Sequence, residues 1–104
     1  MKTVQTRLFA TWLGDLKNAV AVRAIRIRIA RVEAGLMGDV KSVGGGVSEL
    51  RIDTGPGYRV YFTRRGEELV ILLCGGDKSG QRADIVRAKA MAAEIGSAES
   101  GTWT

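Results

Sequence analysis

Residues 69–74 read LVILLC, apolar at every position. A strand through them turns apolar side chains to both faces, which marks it as an interior strand of a sheet. The chain has 104 residues, and folding one of this length buries about two-thirds of its extended surface, enough for one modest core. We therefore expect one domain, residues 1–96, with LVILLC inside its sheet. The polar tail 97–104 is expected to be disordered, and Trp103 within it has no readable role.

Two alternating segments precede that strand. Leu50 and Ile52 point one way, and Glu49, Arg51 and Asp53 the other. After the turn Thr54-Gly55-Pro56-Gly57, residues Tyr58, Val60 and Phe62 alternate with Arg59, Tyr61 and Thr63. Residues 64–67, RRGE, make the next turn, and the Gly-rich stretch 37–47 reads as a connector.

Toward the N-terminus, TVQT at 3–6 is a β-prone lead-in. Leu8, Phe9, Trp12, Leu13 and Leu16 then fall at helical spacing within 7–16. Residues 18–34 contain the strand-like alternation IRIRI. Yet Val22, Ile25, Ile29, Val32 and Leu36 also form one helical stripe, and no turn residue interrupts a run far longer than a strand. Helix is the reading, with Asn18 as N-cap and Gly35 as its stop. Arg23, Arg26 and Arg31 face away from the stripe, Arg28 lies at its edge, and Ile27 stands exposed among them. A last helix over 80–95 carries Ile85, Ala88, Ala92 and Ile95 on one face. The expected class is α+β in the order β-α-α-β-β-β-α, an antiparallel sheet packed against helices on one side.

Composition narrows the chemistry. Without histidine, serine–histidine hydrolysis, histidine-pair ribonuclease chemistry and the common zinc sites are removed. One cysteine, Cys74, excludes an internal disulfide and makes the cytoplasm the default location. No apolar run approaches the roughly 18 residues of a membrane span. The net charge of +5 lies wholly in residues 1–38, where seven basic groups face two acidic ones. Such a third suits nucleic acid or an acidic protein segment, or is simply a solvated helix face.

Strand register puts Arg51 opposite Arg59 or Tyr61, on the face away from Leu50 and Val60. Like charges opposed across a ladder are destabilising unless an anion separates them. That anion is either a ligand, or Glu49 and Asp53 in a ladder of salt bridges. The stretch GGDKS at 75–79 adds a second signal. It is either a backbone cradle for phosphate with Lys78 at its rim, or a turn capped by Asp77 or Ser79. Tyr61 shares the polar face, either to stack on a base or supply a hydroxyl, or simply to pack across the strands; Tyr58 lies on the core side.

The run ELRID-GPGYRVYF, then LLCGGDKS and a short helix, resembles the RelE/ParE toxin superfamily of bacterial toxin–antitoxin modules. Within it the resemblance is to the addiction-module killer proteins, related to phage Gp49 proteins and HigB-type toxins, over residues 4 to 95. It implies two N-terminal helices and a sheet whose concave face holds the active groups. The implied activity is ribosome-dependent cleavage of messenger RNA; the alternatives are a ParE-like gyrase inhibitor acting by binding, and a basic binding module without toxicity. Arg51, Arg59 and Lys78 match the family's basic positions, and Tyr61 joins them by its face alone. Arg23, Arg26 and Arg31 are the expected contacts to RNA. Expected partners are the ribosome, its message and a cognate antitoxin of small helix-turn-helix type in a hetero-oligomer; neither membrane nor cofactor is implied. Glu49 and Asp53 dilute the charge of the face, and the general base is unassigned among Glu49, Asp77 and a lysine.

Overall fold

The computed structural model describes residues 1–97. In chain order these form β1 (Lys2–Gln5), α1 (Arg7–Asp15), α2 (Ala19–Glu33), β2 (Val40–Gly44), β3 (Val47–Ile52), β4 (Tyr58–Arg65) and β5 (Leu69–Asp77). A single 3₁₀ turn, Lys78–Gly80, leads into α3 (Gln81–Ser97). The strands make one sheet in the order β1-β5-β4-β3-β2, so LVILLC is interior as expected. Beyond Ser97, which closes α3, the expected tail lies outside the described residues.

The helices begin and end where their capping residues dictate. The Thr6 hydroxyl accepts from the Phe9 amide at 3.1 Å and starts α1. Asn18 Oδ1 accepts from the Val20 and Ala21 amides, two of the donors a helix start leaves unpaired. At the other end of α2, Gly35 takes φ +86°. Its amide then reaches the Val32 carbonyl while the Leu36 amide reaches that of Arg31, a paired closure that needs a left-handed residue.

Four expectations are corrected. The stretch 37–47 is not merely a connector, because Val40–Gly44 pairs with β3 as an edge strand. Gly45 and Gly46 form the turn of that hairpin directly after Gly44, and this run of glycines hid the short strand before it. The sheet is mixed, since β1 runs parallel to β5. β5 extends through Gly75 and Gly76 to Asp77 rather than ending at residue 74.

Most consequentially, the helices do not lie on one side. Phe9, Leu13, Ala21, Ile25 and Val32 of α1 and α2 pack with Leu50, Ile52, Tyr58, Val60 and Phe62. Ala88 and Ala92 of α3 pack on the opposite face with Val47, Tyr61, Ile71 and Leu73. An interior strand apolar on both faces requires both to be covered, and α3 supplies the second cover.

Gly75 and Gly76 let helices approach the strand from opposite sides. A Cβ on Gly75 would overlap the Trp12 ring, and one on Gly76 would overlap the Asp84 carboxylate. Among the described residues no helix is long and apolar enough to cross a membrane. Gly75→Ala, which meets a packed ring rather than a flexible tip, is expected to cost about 1–3 kcal/mol. Urea denaturation followed by circular dichroism checks this; an unchanged midpoint would mean Trp12 is not fixed against β5.

Candidate functional site

Two cross-strand rows on the α3 face define the site. In the first, Arg51 of β3 stands directly opposite Arg59 of β4, and Arg59 stands opposite Gly76 of β5. In the second, Lys41, Glu49, Tyr61 and Cys74 follow one another across β2, β3, β4 and β5. Of the two partners that register left open for Arg51, the structure takes Arg59 and not Tyr61.

Each arginine has its own carboxylate. Arg51 donates from Nε and Nη2 to Asp39 Oδ1, at 3.1 and 2.8 Å. Those bonds, with the Arg51 charge beside them, hold the Asp39 carboxyl below the usual carboxylate range. Arg28 reaches across from α2 and donates to the carbonyls of Arg51, Met37 and Asp39, which fixes the loop that carries Asp39.

Arg59 is more enclosed, its side chain only 12% exposed, and Nε lies 3.6 Å from Glu49 Oε1. Its Nη1 donates to the Tyr58 carbonyl at 3.1 Å. Glu49 is 1% exposed. Its Oε2 accepts from Tyr61 Oη at 3.2 Å and from Gln81 Nε2 at 2.7 Å. A buried carboxylate needs this density of donors and positive charge. The alternation of charges is therefore a set of internal ion pairs, but its members are Asp39 and Glu49. Asp53, expected to share it, forms no ion pair among the described residues.

Lys78 joins Arg59 as expected. The Lys78 amide donates to the Gly57 carbonyl at 2.9 Å. A Cβ on Gly57 would lie 3.6 Å from Arg59 Nη1 and 3.8 Å from Lys78 Cβ. Both cationic side chains therefore border the same point above the Thr-Gly-Pro-Gly turn. The glycines of GGDKS do not cradle an anion; they are β5 residues that admit Trp12 and Asp84. Asp77 caps the turn instead: its Oδ1 accepts from the Ser79 amide and hydroxyl, which hold its carboxyl below the usual range.

Tyr61 is not free to stack on a base. It is 0% exposed under α3, and burial first, then the Glu49 charge, push its phenol far above the ordinary value. Cys74, beside it, is pushed up to about 11 by burial and then by Asp84, so its thiol is a packing group rather than a nucleophile. Arg23, Arg26 and Arg31 are exposed on α2, with Ile27 41% exposed among them. They belong to the helix that covers the other face, apart from the row of Arg51 and Arg59. Among the described residues no group of three or more acidic or cysteine side chains is arranged to hold a metal ion.

Four participants were missed in the sequence. Asp39 sits in a segment without periodicity and gave no signal. Arg28 showed only as the edge of the α2 stripe. Gln81 and Asp84 open α3, where the helical pattern draws attention to Ile85 and Ala88 instead. Their side chains reach β3 and β5, contacts that no local pattern reports.

A strip of paired cations at the end of a small mixed sheet, roofed by a C-terminal helix, accords with the resemblance seen in the sequence. The family profile of phage-derived Gp49-like proteins (DUF891) matches residues 11–99. The chain belongs to that family, and with it to the RelE/HigB-like toxin group. It is similar to a protein of Haemophilus influenzae, 54% identical over 91 residues, which span 88% of this chain and 92% of that one. That relative is described only as an uncharacterized protein.

Two outcomes follow from the pairing. Glu49→Ala leaves Arg59 enclosed without its carboxylate and is expected to destabilise the fold by about 3 kcal/mol. Adding Arg59→Met should recover much of that loss in urea denaturation, whereas additive losses would show that the pair is not coupled. Separately, Asp39 should titrate below the ordinary carboxylate value by NMR and return toward it in Arg51→Met. The stabilisation it contributes is present above the unfolded carboxyl pKa and fades as pH falls through the depressed folded value.

Proposed function

We propose that this protein is the toxin of a toxin–antitoxin pair and acts as a ribosome-dependent messenger RNA endonuclease in the cytoplasm. The observation that carries this reading is that the Arg59 guanidinium and the stem of Lys78 flank one point above Gly57, with Arg51 directly across the ladder. Cationic groups fixed in advance stabilise the charge that develops on a phosphate as it becomes pentacoordinate. Chemistry without histidine is available because RNA carries its own nucleophile, the ribose 2′-hydroxyl.

Arg59 and Lys78 hold the scissile phosphate, and Arg51 orients a neighbouring one after exchanging Asp39 for it. Tyr61, through Glu49, is a positioning residue for Arg59. The exposed Arg23, Arg26 and Arg31 supply sequence-independent attraction to ribosomal RNA. A small helix-turn-helix antitoxin encoded alongside holds the toxin silent in a hetero-oligomer. One observation favours a second reading: both arginines already face carboxylates of their own protein, which suits an inhibitor such as a gyrase poison that acts by binding alone.

Pulsed expression followed by primer extension on cellular transcripts separates the two. Ribosome-phased cuts are expected; intact transcripts with gyrase-dependent DNA breaks would establish the second reading instead. Lys78→Ala, and Arg59→Met combined with Glu49→Gln so that no buried carboxylate is left without its counter-charge, should each slow cleavage by about 10²–10³ and restore growth, with the fold retained by circular dichroism. Unchanged toxicity in both would remove this site.

A further inference from the structure

Cleavage by the 2′-hydroxyl needs a group to take its proton, and the carboxylates around the strip can be compared by the work each already does. Asp39 is bound to Arg51. Asp77 caps Ser79. Glu49 accepts from Tyr61 and Gln81 and faces Arg59. Each is thereby already occupied by partners of its own. Asp84 differs. It is 9% exposed, its carboxylate accepts no hydrogen bond among the described residues, and its one ion pair is with Arg87 at a long 3.9 Å.

Its position is as specific as its isolation. Asp84 is inserted over Gly76, the cross-strand neighbour of Arg59, and takes the space that a side chain at 76 would fill. The same carboxylate is 3.3 Å from where a Cβ on Gly80 would lie, two residues past Lys78. The first row thus reads Asp84, Arg59, Arg51, Asp39 across the sheet, a carboxylate at each end. The outer one is engaged and the inner one is not.

On the reading of the protein as an RNA endonuclease, we infer that Asp84 is the general base, its carboxylate taking the proton of the attacking 2′-hydroxyl. The O2′–P bond forms as that proton passes to Asp84. The P–O5′ bond breaks with its electron pair remaining on O5′, which takes a proton from water, and Asp84 later releases its own to solvent. The products are a 2′,3′-cyclic phosphate and a 5′-hydroxyl, with no change of oxidation state. The groups facing Asp84 are Arg87 on its own helix and Asp77, Cys74 and Tyr61 on the strands beneath. Burial is the larger influence and raises its basicity above an ordinary aspartate, the direction a base working near neutral pH requires.

The test is single-turnover cleavage of a defined message on programmed ribosomes, over the pH range in which the ribosome stays intact. Wild type should lose rate as pH falls through an acid limb lying above the ordinary carboxylate range. Asp84→Asn should cleave at least about 10²-fold more slowly and lack that limb, while protecting a 2′-deoxy-substituted message as well as wild type does. Gly80→Ala, which presses on the carboxylate without removing it, should lower the rate by about tenfold and keep the limb. An Asp84→Asn protein with wild-type rate, or with the acid limb intact, overturns this assignment and leaves the endonuclease reading standing. A wild-type protein that cuts nothing overturns both.

Discussion

A glutamate with 1% of its surface open to water, in the middle of a strand, sets most of what surrounds it. Burying such a charge is costly unless donors and a counter-charge stand ready. Here they come from three elements at once: Tyr61 and Arg59 of β4, and Gln81 at the start of α3. The requirement to satisfy Glu49 therefore fixes how α3 docks, which way Arg59 points, and why a tyrosine lies under a helix. Arg59 is held in advance by the same contacts, so the rotamer of that cation is already chosen before anything binds. Preorganisation of this kind is worth more than an additional flexible charge.

The glycine pair after LVILLC plays the corresponding part in the packing. Gly75 receives Trp12 from the side of α1 and Gly76 receives Asp84 from the side of α3. The two layers of helices thus close on the same end of β5 at adjacent residues. That brings an apolar wall and a carboxylate within one peptide of each other, directly beside Arg59.

The sequence carried those parts of the fold that local periodicity can encode. The stripe on α2, the caps at Asn18 and Gly35, the hairpin at 54–57 and the placing of Arg51 and Arg59 on one face all follow from spacing and register. It was silent where the deciding contact is distant or the segment lacks a period. β2 was lost because Val40 and Val43 give only half of an alternation before three glycines. The second layer was misplaced because α3 is rich in alanine, and its weak stripe did not outweigh the charged residues across the sheet. Asp39 and Asp84 were illegible for another reason: what matters about each is a partner, or the lack of one, supplied by a different element. Glu49 looked like dilution of a basic face and is the organiser of it.

The pairing of β1 with β5 has a consequence for the order in which the molecule comes into being. Lys2–Gln5 pairs with Leu69–Leu72, segments separated by both N-terminal helices and three strands. A parallel contact across so long a loop closes late, because loop entropy is lost before the pairing returns anything. On the translating ribosome, the first strand and two helices emerge long before their partner strand exists. Asp84 and Gln81 follow later still. The strip of Arg51 and Arg59 therefore stays without its roof until α3 has been synthesised, and a nascent fragment that ends before it lacks the assembled row however many of its cations it displays.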